Sequence, residues 1–379
     1  MGTKNNQVTT WTDALDAENL DPFRPGMVGC LACPVNCRPL NDMTGDAEAK
    51  QDRYVKGDGP EYVTLGKFGP NIGVADVRAV LRLNNICNDL GLDTSSTGAA
   101  IGWAMELYQR GLVTREQAGL DLSWGNAEAV ERLLFMMAER EGFGDAVADS
   151  TRAVERGHYP EEALEYLMAI KGLCQSDPHD ARILKAFALG LAVATRGMDH
   201  LRNRVTLEIN ARINDDPAFK EELYGGPVSA APHSYEGKEL AVRRCENTYA
   251  VGDSVGMCRF TTKLFNSPSL PGLPEFAEQI ENVTSLSFSA EELDRIGQNI
   301  MGVERLINSR LGVTRADDTL PRRWFDEPIT SGPFEGERID RASFEALLQR
   351  FYEVSELTTE GVPEPGWRAS LEGMLAAGS

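Results

Sequence analysis

Apolar positions recur at intervals of three and four through most of this chain. That spacing lays one face of an α-helix against a core. Val77, Val80, Leu81 and Ile86 fall on it within residues 74–90, and Gly91 follows as a stop. Val130, Leu133, Leu134 and Met137 repeat it within 127–141. Further helices are expected over 61–68, 97–110, 144–156 and 161–170, and in the second half over 218–223, 237–249, 290–311, 342–358 and 367–375. Residues 181–195 are apolar on every face, so this helix is expected to be buried. Strand patterns are few and short. The fold class expected from these periods is mostly α, with helix well above the usual third of a chain.

The polar stretches divide the chain. Residues 1–28 carry Pro22 and Pro25 and no period, and are expected to be an extended lead-in. Residues 41–58 are charged and aperiodic, which predicts a surface loop. A break over 172–178 suggests a boundary, giving a helical domain over 29–174 and a second over 175–379. No segment approaches 18 consecutive apolar residues, so no membrane span is expected. The N-terminus lacks the apolar run of a signal peptide. The net charge of −20 opposes binding to nucleic acid. Seven cysteines, three of them clustered, suit a reducing cytoplasm better than a disulfide scaffold.

The clustered cysteines are the first chemical signal. Cys30, Cys33 and Cys37 are spaced C-x2-C-x3-C. Thiolates this close can wrap one corner of a [4Fe–4S] cluster, which then needs a fourth ligand from elsewhere. Zinc with a distant fourth ligand is the competing reading. Cys87, Cys174 and Cys245 sit in or beside helical segments and read as buried thiols, with Cys87 the nearer rival for a fourth ligand.

The second signal is a pattern that occurs twice: Asp or Asn, two residues, Gly, an apolar residue, then Asp or Cys. One copy is Asn88-Asp89-Leu90-Gly91-Leu92-Asp93; the other is Asp253-Ser254-Val255-Gly256-Met257-Cys258. Each follows an expected helix. The glycine permits a left-handed turn or close approach to a ligand, and a carboxylate beside it can accept two N–H bonds from a planar, amidine-like edge. A helix terminus with no ligand is the bland alternative.

These blocks, in this order, resemble the aldehyde ferredoxin oxidoreductase family of tungsten enzymes. The resemblance also rests on Gly59-Pro60-Glu61-Tyr62, on Ser96-Thr97-Gly98, on the run from Thr195-Arg196-Gly197-Met198-Asp199-His200 to Leu201-Arg202, and on Tyr235-Glu236-Gly237-Lys238. It implies two helical domains resembling domains 2 and 3 of that family. It implies tungsten, or molybdenum, held by two pterins beside a [4Fe–4S] cluster that passes electrons to ferredoxin.

Carried over by residue, the resemblance makes Cys30, Cys33, Cys37 and Cys258 the cluster ligands. Asn88, Leu92 and Asp93 would contact one pterin, and Asp253 and Met257 the other, with Arg196 and Arg202 as basic contacts. Asn88 stands where the family usually has Asp. Glu61 would be a carboxylate near the metal that takes a proton from water. His200 would polarise the aldehyde oxygen. The structure-only alternatives are a first-turn helix acid for Glu61 and a core or surface histidine for His200. The family's β-rich N-terminal domain has no counterpart before Cys30, which implies a truncated product or a separate chain supplying that pterin-binding half.

The expected reaction is oxidation of an aldehyde to a carboxylate. The alternatives are reduction of an acid or an aromatic thioester at the same site, an electron-transfer or non-catalytic cluster-binding subunit, and a zinc-stabilised scaffold.

Overall fold

The computed structural model describes residues 2–9, 13–209, 216–265 and 267–377. Helix accounts for 52% of it, with little strand, as the apolar spacing predicts. No described helix is long and apolar enough to cross a membrane. The chain divides into two compact units: Met1–Asp180 with Ile329–Gly336, and Ala181–Pro328 with Glu337–Ser379.

The longer helices of the first unit are α1 (Tyr62–Phe68), α2 (Val77–Asp89), α3 (Thr94–Gln109), α4 (Ala127–Glu139) and α5 (Phe143–Asp149). Val80, Leu83 and Ile86 of α2 meet Ile101, Trp103 and Leu107 of α3 and Val130, Leu133 and Leu134 of α4 in one core. Each such side chain contributes about 1.5–3 kcal/mol on burial. A small antiparallel sheet lies beside this core: β1 (Met27–Val28), β2 (Arg38–Asp42) and β3 (Lys56–Asp58), with Leu40 opposite Asp58. The three clustered cysteines occupy the connection from β1 to β2.

Side-chain amides hold this sheet to α2. Asn85 and Asn41 exchange hydrogen bonds at 2.8 and 2.9 Å, and Asn41 Nδ2 also reaches Gly59 O. Asn84 Nδ2 donates to Asp58 O at 2.7 Å. Lengthwise along the same helix, Arg82 makes paired bonds to Asp52 and to Glu131, tying the loop between β2 and β3 to α2 and α4. The result is a fixed path into Gly59-Pro60 and hence into Glu61, the residue that precedes α1.

The second unit contains α6 (Lys185–Val193), α7 (Pro217–Tyr224), α8 (Lys238–Ser254), α9 (Leu273–Thr284), α10 (Ala290–Arg310), α11 (Arg341–Val354) and α12 (Pro365–Ala377). All nine residues of α6 are buried, as its unbroken apolar run predicts. Its one ionisable residue, Lys185, is satisfied by the carbonyls of Arg182 and Arg338. At the start of α8, Lys238 is fully buried and donates to Glu208 and to the carbonyls of Ser229 and Ala231. The Tyr235-to-Lys238 block is thus an anchor for α8.

Several local expectations change. Residues 41–58 are not all loop: Asn41 and Asp42 pair with Gly57 and Lys56, a match too short to leave a period. The helix expected over 161–170 is a 3-10 turn, Glu161–Tyr166, followed by a hairpin of Ala169–Ile170 with Leu173–Cys174. Lys171 and Gly172 both take positive φ there, a type I′ turn that a helix excludes. The helix expected over 144–156 stops at Asp149, whose carboxylate binds Arg140, Arg156 and His158 instead. The stretch expected to be an extended lead-in contains short helical turns, and Asn5 is buried, donating to Glu106 and to Tyr166 O. Helix α9 was not expected. Its signals were present: Pro274 in the first turn, Glu275 bonded back to Gly272 N, and Leu273, Phe276 and Ile280 on one face.

Arg82 generates a testable consequence. Arg82→Met should lower stability by about 2–3 kcal/mol, since two carboxylates lose charged partners. Asp52, held down to about 2 chiefly by its bonds from Arg82, links this to pH. Its folded pKa is depressed, so its contribution is present above the ordinary carboxylate value and is lost as pH falls toward 2. Acid melts of the wild type and Arg82→Met should therefore converge; equal separation at all pH values would refute the link.

Candidate cofactor-binding site

Gly29 and the three clustered cysteines form a tight turn. Cys33 N donates to Cys30 O at 3.0 Å, and Ala32 and Asn36 take positive φ. A Cβ at Gly29 would come within 2.5 Å of Asn36 Oδ1 and 2.9 Å of Cys33 O, so the turn closes on the glycine. Cys30 is exposed, and Cys33 and Cys37 are partly so. Leu31 and Val35, between them, are exposed apolar residues. None of the seven cysteines is in a disulfide, and Cys258 is exposed in the second unit. Cys87 has a different setting. It is fully buried in the core, donates to Leu92 O at 3.3 Å, and is pushed up to about 12 by burial. It is a packed thiol, poorly suited to be a thiolate ligand. Cys174 and Cys245 are likewise buried, and burial pushes both thiols up.

The duplicated pattern is a duplicated backbone device. Gly91 N donates to Asn88 O and Leu92 N to Cys87 O; Gly256 N donates to Asp253 O and Met257 N to Gly252 O. Both glycines have positive φ, 68° and 74°. This is the paired bonding of a Schellman cap, which ends α2 in one unit and α8 in the other. Nothing lies within 4 Å of either glycine's Cβ position, so it is backbone conformation, not space, that calls for glycine.

What the two caps present differs. Asp93 stands at the start of α3, where Oδ1 accepts from Ser96 N at 2.6 Å. Its other oxygen has no hydrogen bond from a described residue. Asn88 donates through Nδ2 to Asp58 O at 3.0 Å. A carboxylate could not make that bond, which gives a physical reason for Asn at this position. Leu92 has both backbone groups engaged by Cys87. In the second cap, Asp253 Oδ2 receives Arg202 at 3.1 Å and Arg259 at 2.6 Å. Met257 lends its sulfur to Thr261 Oγ1 at 3.2 Å.

The segment after α6 carries the remaining residues of the second unit. Thr195 Oγ1 and Arg202 both bond Glu304 of α10, and Asn308 Nδ2 donates to Thr195 O. Arg196, exposed, pairs with buried Asp199. His200 is buried. In the first unit, Glu61 is exposed and precedes α1 without capping it by its side chain. Burial around its carboxyl nevertheless holds its pKa above the ordinary value, with the Arg38 charge opposing. That shift makes the carboxylate a stronger base than an ordinary one.

Two neighbours of the candidate residues, Arg259 and Glu304, escaped the sequence. Arg259 directly follows Cys258 and could have been included in that block. Glu304 lies inside a long helix with no local signal.

A test of fit comes from the open polar atoms. Among the described residues, Arg202 Nε and Arg259 Nη1 are buried N–H donors with no hydrogen-bond partner. Both belong to the pair of guanidiniums on Asp253. Both atoms are closed off from the surface and so offer no open donor; the exposed carboxylate of Asp93, with one oxygen bonded to Ser96 N, is the group that suits the N–H edge of a pterin. The exposed thiols of the β1–β2 turn suit a soft metal cluster. The donor sets therefore fit both groups.

Comparison with known proteins shows the family. The family model for aldehyde ferredoxin oxidoreductase, domains 2 and 3, matches residues 1–372. This chain belongs to that family. The tungsten-containing aldehyde ferredoxin oxidoreductase of Pyrococcus furiosus is 31% identical over 337 residues, which cover 88% of this chain and 50% of the relative. The aliphatic sulfonate oxidoreductase WOR-like subunit of the same organism is 27% identical, covering 88% and 48%. The chain thus spans about half the length of the curated relatives it matches. Its fold is like that of the active-site complex of benzoyl-coenzyme A reductase with 1,5-dienoyl-CoA, at a TM-score of 0.72 and 17% identity, over 99% of this chain and 58% of that one.

The caps predict their own sensitivity. Gly91→Ala and Gly256→Ala should each lower stability by about 1–2 kcal/mol, the strain of a left-handed residue with a Cβ. Gly111→Ala, at another positive-φ helix end, should have a similar effect on stability but none on cofactor retention. Cofactor loss in all three variants alike would show that the caps have no ligand role.

Proposed function

We propose that this chain is the helical, cofactor-holding part of a tungsten-dependent aldehyde oxidoreductase. It would convert an aldehyde and water to a carboxylate, with two electrons leaving through a [4Fe–4S] cluster to ferredoxin. A further pterin-binding part, in the same protein or in a partner chain, completes the site; the roughly twofold length of the relatives supports this. The observation that carries the proposal is the pair of matching caps with Asp93 and Asp253 beside them, in a chain of this family.

In this reading Cys30, Cys33, Cys37 and Cys258 hold the cluster. Asp93 accepts N–H groups of one pterin through its open oxygen. Asn88 and Leu92 shape that cap. Asp253 and Met257 form the second cap, which meets the other pterin, with Arg202, Arg259 and Arg196 lending positive charge. When bound, the pterin-held tungsten, or molybdenum, supplies the two-electron oxidation. Glu61 takes the proton from the attacking water, and its raised pKa makes it a stronger base than an ordinary carboxylate. His200 donates a hydrogen bond to the aldehyde oxygen and so draws charge away from the carbonyl carbon.

Metal analysis separates the readings: tungsten with iron and sulfide for the enzyme, iron and sulfide alone for an electron-transfer subunit, zinc alone for a scaffold. Cys258→Ala should lose iron, whereas Cys87→Ser should keep it; the reverse result would move the fourth ligand. In the complete enzyme, Asp93→Asn should weaken pterin retention by about 1.5–3 kcal/mol per lost charged bond. Aldehyde oxidation should fall as pH drops through the pKa of Glu61, above the ordinary carboxylate range, because the base must be deprotonated. Glu61→Gln should remove that limb; unchanged activity in this variant would exclude Glu61 as the base.

A further inference from the structure

We propose that Glu246 is a positioning residue held as a neutral carboxylic acid, and that its acid–amide pair with Asn203 fixes the segment bearing Arg196, His200 and Arg202. The proposal deepens the function above and rests on it only for what that segment does.

Glu246 lies within α8 and is 4% exposed; Asn203 is 1% exposed. Asn203 Nδ2 donates to Glu246 Oε1 at 2.8 Å. The other end of the same amide, Oδ1, is buried and has no hydrogen-bond partner among the described residues. Helix α6 closes over it: a Cβ on Gly190 would lie 2.7 Å from both Asn203 O and Asn203 Oδ1. A buried acceptor left unmade is costly. A carboxylic acid removes that cost, since one oxygen accepts from Nδ2 while the other carries a proton to donate to Oδ1. A carboxylate has lone pairs only and leaves Oδ1 orphaned.

The surrounding charges point the same way. Arg305 of α10 attracts the ionised form of Glu246, but its guanidinium is already engaged by Asp318 and by the carbonyls of Val193 and Gly361. Glu304 of α10 and Asp318 repel that form. Cys245, beside it on α8, is a buried thiol whose own ionisation Glu246 opposes. Burial pushes Glu246 up to about 7, with Arg305 and the Asn203 bond pulling it down.

The neutral acid has a functional consequence. Glu304 grips Thr195 and Arg202, and Glu246 grips the next residue, Asn203. His200 and Arg202 thus lie on a segment held at both ends. Ionisation of Glu246 loosens one end.

The test uses the whole chain and no substrate or cofactor, so its outcome is independent of the proposed reaction. Glu246→Gln copies the acid, because its amide accepts from Nδ2 and donates to Oδ1. Glu246→Ala removes both bonds. Hydrogen exchange at residues 195–203, corrected for the intrinsic effect of pH, should quicken in the wild type as pH passes about 7. In Glu246→Gln it should stay slow and flat; in Glu246→Ala it should be fast throughout. Stability gives a second readout. The folded pKa is raised, so the wild type should lose stability relative to Glu246→Gln as pH rises from the ordinary carboxyl range to about 7. The loss should reach about two orders of magnitude in the unfolding equilibrium. Parallel pH profiles for wild type and Glu246→Gln, or a Gln variant that loosens the segment at pH 6, would overturn the proposal. If the Ala variant does not fold, the Gln comparison decides alone.

Discussion

A helix must stop somewhere, and in each unit long helices stop on left-handed glycines: Gly91 and Gly111 in the first, Gly256 and Gly312 in the second. The stops at Gly91 and Gly256 are the ones with candidate residues beside them. The stop reverses the chain within two residues and leaves the next side chain beside exposed backbone. In the first unit that places Asp93 at the start of α3, where one oxygen caps the new helix. In the second it places Cys258 just ahead of Arg259, which turns back onto Asp253. A side chain in place of the glycine would strain this stop and with it the placement of these groups. Candidate ligand positions in both units therefore follow from one backbone constraint.

What surrounds each stop is held by polar side chains as well as by apolar packing. Around α2 the work is done by amides: Asn41, Asn84, Asn85 and Asn88 bind one another and the backbone at Asp58 and Gly59. Around α8 it is done by charges, with Arg202 spanning Asp253 and Glu304. Amides satisfy backbone carbonyls without adding charge. Charged pairs hold only while both partners are ionised. The amide contacts are insensitive to pH, whereas the charged ones, Arg202 here and Arg82 on α2, are not.

The apolar period was enough to reveal the mostly helical class and most of the long helices, because a buried stripe must repeat at three and four. It was not enough where local turn chemistry overrode it, as at Lys171-Gly172 and at Asp149. The candidate residues were legible through short blocks: three close cysteines and two six-residue caps. Their surroundings were not. Glu304 meets Arg202 from 102 positions away, and no spacing rule anticipates such a pair. Nor did the sequence explain Asn88, whose amide is needed as a donor to Asp58 O.

That donor creates an asymmetry between two otherwise matching caps. The first presents the Asp93 carboxylate with no guanidinium bound to it, beside a neutral Asn88. The second presents Asp253 already paired with Arg202 and Arg259. On the proposed function, each cap would meet one copy of the cofactor with the same backbone turn but different charge: an open carboxylate at the first, and a carboxylate already neutralised by two guanidiniums at the second.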